Sequence, residues 1–196
     1  MVRSEKTRQF IIEKTASIFN KKGYIGTYLS DLTNATGLTK GSIYGNFKDK
    51  NEVALEAFRF NYKLQTEEVL SQVNKEKKAD KKLLAFLDYY KKEYEVIFEN
   101  GGCAILNAAV DSDDGNVLLK QEVIGKIENW VYRVETILEE GIQQKELKEV
   151  NALEYAYRII AQIEGSIFLS KTLSQPSILL KNIELLKQDI ELLKLN

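Results

Sequence analysis

The chain has 196 residues, 44% hydrophobic and 29% charged, a composition that fits a globular protein of one large or two small domains with a real core. A single cysteine excludes an intrachain disulfide and fits a reducing compartment, and the lack of any histidine removes His-based triads, His metal ligands and the commonest general base. The net charge of −1 conceals an asymmetry: residues 1–50 hold nine Lys/Arg against four Asp/Glu, and the remainder nineteen against twenty-five, so a basic head precedes an acidic body.

One proline in the whole chain leaves long stretches without a helix breaker and points to an all-α protein. No apolar run approaches the ~20 residues that span a bilayer, and the N-terminus lacks an apolar signal core. The expectation is a cytoplasmic protein with no membrane partner.

The first helix is expected over residues 4–22. Ser4 can cap it, Phe10, Ile11, Thr15, Ile18 and Phe19 recur on one side, and Gly23 closes it. Thr27 is a candidate N-cap for the next helix, with a hydroxyl that could also meet a phosphate. From Asp31 to Lys50 the chain has the grammar of two short helices joined by a tight turn. Leu32 and Ala35 share a face, Gly37 suits a left-handed C-cap, Leu38 plugs the corner and Thr39 caps the second helix. That helix, about Lys40 to Phe47, buries Ile43 and Phe47 at a spacing of four. Its other faces carry Thr39, Lys40, Ser42, Tyr44 and Asn46, the hydroxyls, amide and cation that base edges and phosphates require. The expected core of this head is Phe10, Ile18, Phe19, Leu29, Leu32, Leu38, Ile43 and Phe47.

The run Gly23-Tyr24, Gly26-Thr27, Asp31-Leu32, Gly37-Leu38-Thr39-Lys40-Gly41-Ser42-Ile43-Tyr44, Phe47 and Lys50 closely resembles the N-terminal domain of TetR-family transcriptional regulators. The resemblance implies a three-helix helix-turn-helix domain, residues 1–50, followed by a helical ligand-binding and dimerisation domain, residues 51–196, about nine helices in all. It implies double-stranded DNA as partner, with Thr27, Tyr28, Thr39, Lys40, Gly41, Ser42, Tyr44, Asn46 and Lys50 as the DNA-binding residues. Two positions depart from the family pattern. Gly45 stands where a bulky aromatic or histidine is frequent, and Asn46 where histidine is common, so base preference should not follow that of a near relative.

Beyond the head, Asp49 and Glu52 have the capping-box spacing and open a long helix to about Asn74, with Val53, Ala57, Phe60, Leu64 and Val69 toward the core. Lys75 to Lys82 reads as a charged, solvated turn. A helix from about Lys82 to Asn100 carries Leu84, Leu87, Tyr90, Tyr94 and Phe98, and Gly101-Gly102 breaks it. Cys103 to Val110 forms a short apolar helix, in which Cys103 reads as a small core residue and Asn107 as a polar anchor. Asp111 to Gly115, with Glu122 beyond, has part of the spacing of a calcium loop, but its fifth and sixth positions are wrong, so an interhelical turn is the stronger reading. The seventh helix should run from about Asn116 to Glu140 on Val117, Ile124, Ile127, Val131, Val134 and Leu138.

Asn151 caps a helix in which Ala156, Ile160, Ile163 and Ile167 recur at 4-3-4. After Pro176, Leu179, Ile183, Leu186, Ile190 and Leu193 recur at 4-3-4-3, and Ile178, Leu185 and Leu192 form a second stripe. Two stripes exceed what one partner helix covers. A wider intrachain core would absorb them, or a second subunit would complete a four-helix bundle. The family resemblance favours a homodimer through Ile160, Ile163, Ile167, Leu179, Ile183, Leu186, Ile190 and Leu193. It also implies a cavity for a small apolar or aromatic ligand, for which Tyr62, Phe86, Tyr90, Tyr94, Cys103, Asn107 and Trp130 are the candidates. No catalytic constellation, metal set or cofactor motif is visible, so an enzyme is not expected. The function expected is a ligand-responsive repressor that binds a palindromic operator as a homodimer. The alternative is a TetR-like DNA-bound scaffold that acts through a protein partner without a small inducer.

Overall fold

The computed structural model describes residues 3–112 and 116–195. Its described residues form nine helices: α1 (Arg3–Gly26), α2 (Leu29–Thr36), α3 (Lys40–Tyr44), α4 (Lys50–Val73), α5 (Ala79–Glu99), α6 (Ala104–Ser112), α7 (Val117–Gln143), α8 (Ala152–Thr172) and α9 (Ser177–Leu193). The all-α expectation holds. No helix among the described residues is long and apolar enough to cross a membrane. The chain divides into two compact units, Met1–Gln65 with Asn100–Gly125 and Thr66–Glu99 with Lys126–Asn196. The first unit thus reaches past residue 50, because α6 packs on α1.

In the first unit, Ile11, Ile12, Ala16 and Phe19 of α1 meet Leu32, Ile43, Phe47, Val53 and Ala57 in one buried cluster. Phe10, expected inside, is exposed, and Ile18 is only half-buried. The face that α1 buries is rotated by about one position from the one Phe10 and Ile18 suggest, since the adjacent β-branched pair Ile11–Ile12 fills the centre. Gly23 takes a left-handed backbone (φ 72°) and kinks α1, which resumes to Gly26. Tyr28, not Thr27, is therefore the N-cap of α2. Asn116 caps α7 by accepting from the Leu119 N–H at 3.1 Å. Along α4, Val53, Ala57 and Val69 are buried as expected and Leu64 is exposed; on α7, Val117 and Ile124 are exposed, while Leu119 and Val123 are buried.

In the second unit, α9 packs against both α5 and α8. The stripe Leu179, Ile183, Leu186, Ile190 and Leu193 is buried, as are Ile160, Ile163 and Ile167 of α8. Pro176 offers α9 no side-chain cap, and the Ser170 hydroxyl of α8 fills that role by accepting from the Leu179 N–H at 2.8 Å. Helix α5 begins earlier than its charged start suggests. Asp80 is buried and pairs with Lys194 at 3.2 Å, and Glu146 accepts from the Ala79 N–H at 2.7 Å. An isolated antiparallel bridge between Leu147 and Lys194, with the Leu195 N–H donating to the Glu146 carbonyl at 3.0 Å, ties down the end of α9.

Candidate nucleic-acid interface

The turn between α2 and α3 follows from its residues. Gly37 closes α2 in the left-handed region (φ 69°), and its N–H donates to the Thr33 carbonyl at 2.8 Å. The Thr39 hydroxyl then accepts from the Ser42 N–H at 3.2 Å and caps α3. Ile43 and Phe47 are buried beneath it, as their spacing requires. Helix α3 ends at Tyr44, three residues short of the expectation, because two glycines, Gly41 and Gly45, lower its helical propensity. Thr39, Lys40, Gly41 and Ser42 are exposed, and Tyr44 and Asn46 are half-buried.

The amide of Asn46 is already engaged. Its Nδ2 donates to the Ser42 carbonyl at 2.8 Å, and its Oδ1 accepts from the Ser4 hydroxyl at 3.3 Å. Tyr28 stands exposed at the start of α2, where its N–H donates to Asp31 Oδ2 at 2.8 Å. Asp31 also pairs with Lys22 at 2.7 Å. These two contacts, Lys22 first, hold its carboxyl below the usual aspartate range. Thr27 is buried, and its hydroxyl donates to the Gly23 carbonyl at 2.6 Å, so it stabilises the kink of α1.

Lys50 sits in a network that spacing does not disclose. Its Nζ lies 4.3 Å from the centre of the Tyr24 ring, and the Tyr24 N–H donates to the Asp111 carboxylate. Burial pushes the Lys50 ammonium below its ordinary range, against the opposing pull of Asp111 and Asp31. Glu122 pairs with Arg59 at 2.7 Å. The two described carboxylates of the calcium-like spacing are thereby placed, and Asp113 to Gly115 lie outside the described residues.

The ligand candidates fall into two groups. In the first unit Cys103 is buried, and Tyr62 packs toward Phe58 with ring centres 6.4 Å apart. Asn107 donates to the Asn20 carbonyl, Asn20 Oδ1 and the Gly101 carbonyl at 3.0–3.1 Å, which fastens the end of α1 to the turn before α6. A cavity of about 30 Å³ lies alongside, lined by Phe19, Asn20, Phe58, Asn61, Asn107 and Asp111 among others. In the second unit Phe86, Tyr90 and Trp130 pack on one another with ring centres 5.4–6.3 Å apart. Tyr94 packs edge-on against Phe98.

The eight residues named for dimerisation are all buried within the chain itself. What α8 and α9 leave exposed is a different set, including Tyr157, Phe168, Leu185 and Leu192. Leu185 and Leu192 belong to the second stripe of α9. One further residue of the head escaped the sequence reading, Arg8, and Asp111, read there only as part of an interhelical turn, accepts from the Tyr24 N–H. Arg8 stands one turn before the buried Ile11–Ile12 pair, where a long cation can lie over the core, and that was the one available sign.

A basic three-helix head with an exposed, capped third helix, joined to an acidic helical body, is the build of a helix-turn-helix DNA-binding regulator. Residues 11–57 match the profile of bacterial regulatory proteins of the tetR family, and residues 79–185 match the tetracyclin repressor-like C-terminal domain. A TetR-family transcriptional regulator from Cytophaga hutchinsonii superposes with a TM-score of 0.94 at 35% identity, over 100% of this chain and 98% of that one. An uncharacterised HTH-type transcriptional regulator of Lactococcus lactis is 25% identical over 94% of this chain and 93% of its own length. The HTH-type transcriptional repressor DhaR of a Mycobacterium species is 24% identical over 84% and 82%. The chain belongs to the TetR family of transcriptional regulators.

Proposed function

We propose that the protein is a repressor that binds a near-palindromic operator as a homodimer in the cytoplasm and is released by a small apolar or aromatic molecule. The observation that carries this reading is the exposed run Thr39–Ser42, set on α3 by the buried Ile43 and Phe47 in the basic part of the chain. Thr39, Lys40, Gly41 and Ser42 reach base edges, with Tyr44 and Asn46 at the end of the helix. Tyr28 and Lys50 meet phosphates, and Thr27 supports the turn from beneath. In the dimer two α3 helices enter successive major grooves about 34–36 Å apart. The second subunit covers the apolar residues that α8 and α9 leave exposed. An inducer shifts the protein only by its differential affinity for the DNA-competent and incompetent states.

The close packing of Phe86, Tyr90 and Trp130 supports a second reading, a DNA-bound scaffold that recruits a protein partner and takes no small ligand. Selection of duplexes from a random pool by the purified chain, followed by sequencing, tests the first reading. A two-fold-symmetric site is expected. Recovery of no enriched sequence would remove the operator from the proposal. Ligand-induced release from that site separates repressor from scaffold.

A further inference from the structure

Helix α3 is five residues long and contains one glycine and is followed by another, so its own hydrogen bonds do little to hold it in place. Thr39 caps its start and Ile43 anchors its middle. Its far end is held from outside, by Arg8 of α1. The Arg8 guanidinium donates through Nη1 to the Asn46 carbonyl at 2.7 Å, pairs through Nη2 with Glu52 at 2.8 Å and Glu56 at 3.5 Å, and lies 4.2 Å from the centre of the Phe47 ring. One turn earlier on α1, the Ser4 hydroxyl donates to the Asn46 side chain. Helices α1 and α4 and the turn that leaves α3 meet at this one cation.

We infer that Arg8 is a positioning residue for sequence recognition, clamping the turn that leaves α3 between α1 and α4. The inference rests on the proposed DNA-binding role of α3. The charge of Arg8 is matched by two carboxylates and its fork is occupied by a main-chain carbonyl, so it is not poised to take a phosphate. Glu52 is fixed in turn: the Lys48 N–H donates to it at 2.6 Å and, with Arg8, holds its carboxyl below the ordinary range. A lysine at position 8 would keep the charge but could not stack on Phe47, reach Asn46 and pair with Glu52 at once.

The test compares Arg8→Lys with the unaltered full chain on two duplexes, one selected from a random pool and one scrambled. Affinity is read by fluorescence anisotropy across a salt series. The clamp requires Arg8→Lys to bind the selected duplex about tenfold more weakly, as loss of a charge-assisted hydrogen bond gives, and the scrambled one within about twofold. The salt slope on both duplexes stays unchanged, and amide exchange at Asn46 and Phe47 speeds up. A slope lowered by about one would make Arg8 a phosphate contact and overturn the inference. So would selected-duplex affinity within about twofold of the unaltered chain, or unchanged amide exchange. A fall in melting temperature of about 10 °C would also overturn it, by showing that Arg8 holds the head together rather than aiming α3. If the unaltered chain selects no DNA, the proposed function fails, and amide exchange still decides whether the clamp exists.

Discussion

Helices α3 and α9 are stabilised in opposite ways. Helix α9 carries its own reason to fold: five apolar residues at 4-3-4-3 spacing, all buried against α5 and α8. Helix α3 buries one side chain within its span and takes the rest of its definition from Thr39, Phe47 and Arg8. An element that meets a ligand keeps its polar face outside, so its neighbours must hold it; an element that makes a core holds itself. The first kind is readily re-aimed, and the second is hard to alter without loss of the fold.

The largest effect that would break this contrast is removal of α9 by truncation after Gln175. The buried faces of α5 and α8 lose their cover, and each large apolar side chain so exposed costs about 1.5–3 kcal/mol. Cooperative melting of the second unit should disappear in circular dichroism. A truncated chain that still melts cooperatively would show that α9 is not core. Next in size is the pair Leu185→Glu with Leu192→Glu, at residues 52% and 69% exposed. Dimer dissociation should rise by about a hundredfold or more, on the scale of desolvating paired charges at an interface, with thermal stability nearly unchanged. Sedimentation showing an intact dimer would move the interface elsewhere.

Lys50→Ala probes the head. Loss of one phosphate contact lowers the salt slope of DNA binding by about one on every sequence. An unchanged slope would leave Lys50 to its neighbours within the chain, Tyr24, Asp111 and Asp31. The smallest effect concerns pH. The carboxyl of Asp31 is depressed in the folded chain, so its contribution to stability is present above its unfolded value and is lost as pH falls through the folded one. As pH falls through that depressed value the start of α2 should loosen, seen as a loss of protection of the Tyr28 amide relative to its intrinsic exchange rate, and Asp31→Asn should show low protection there at all pH values. Equal exchange in both proteins at neutral pH would show that the Lys22 and Tyr28 contacts add nothing.

What could be read from the sequence followed the range of the physics. Caps are local, and Gly37, Thr39, Asp49 and Asn151 all act where their spacing puts them; the Glu52 N–H donates to Asp49 at 2.9 Å and the Glu154 N–H to Asn151 at 3.2 Å. The stripe of α9 was equally plain, but whether it met its own chain or another could not be read from periodicity, and the structure assigns it to its own. Helices such as α1 and α4 bury different faces along their length, so a single stripe misplaced Phe10 and Leu64. Asp80 was read as part of a solvated turn because its partner, Lys194, lies far away in the chain. The candidate residues of α3 were read from the faces that Ile43 and Phe47 leave outside, and the family resemblance carried the DNA reading further, since nothing in composition separates Ser42 from an ordinary surface serine.

The fastening of Lys194 to Asp80 and Leu147 also bears on the order in which the chain acquires structure during synthesis. Every segment of the first unit has left the ribosome once Gly125 has emerged, with α5 still looped out of it. The second unit cannot close until α9 is free, so a nascent chain passes through a stage with a finished reading head and an open, apolar remainder.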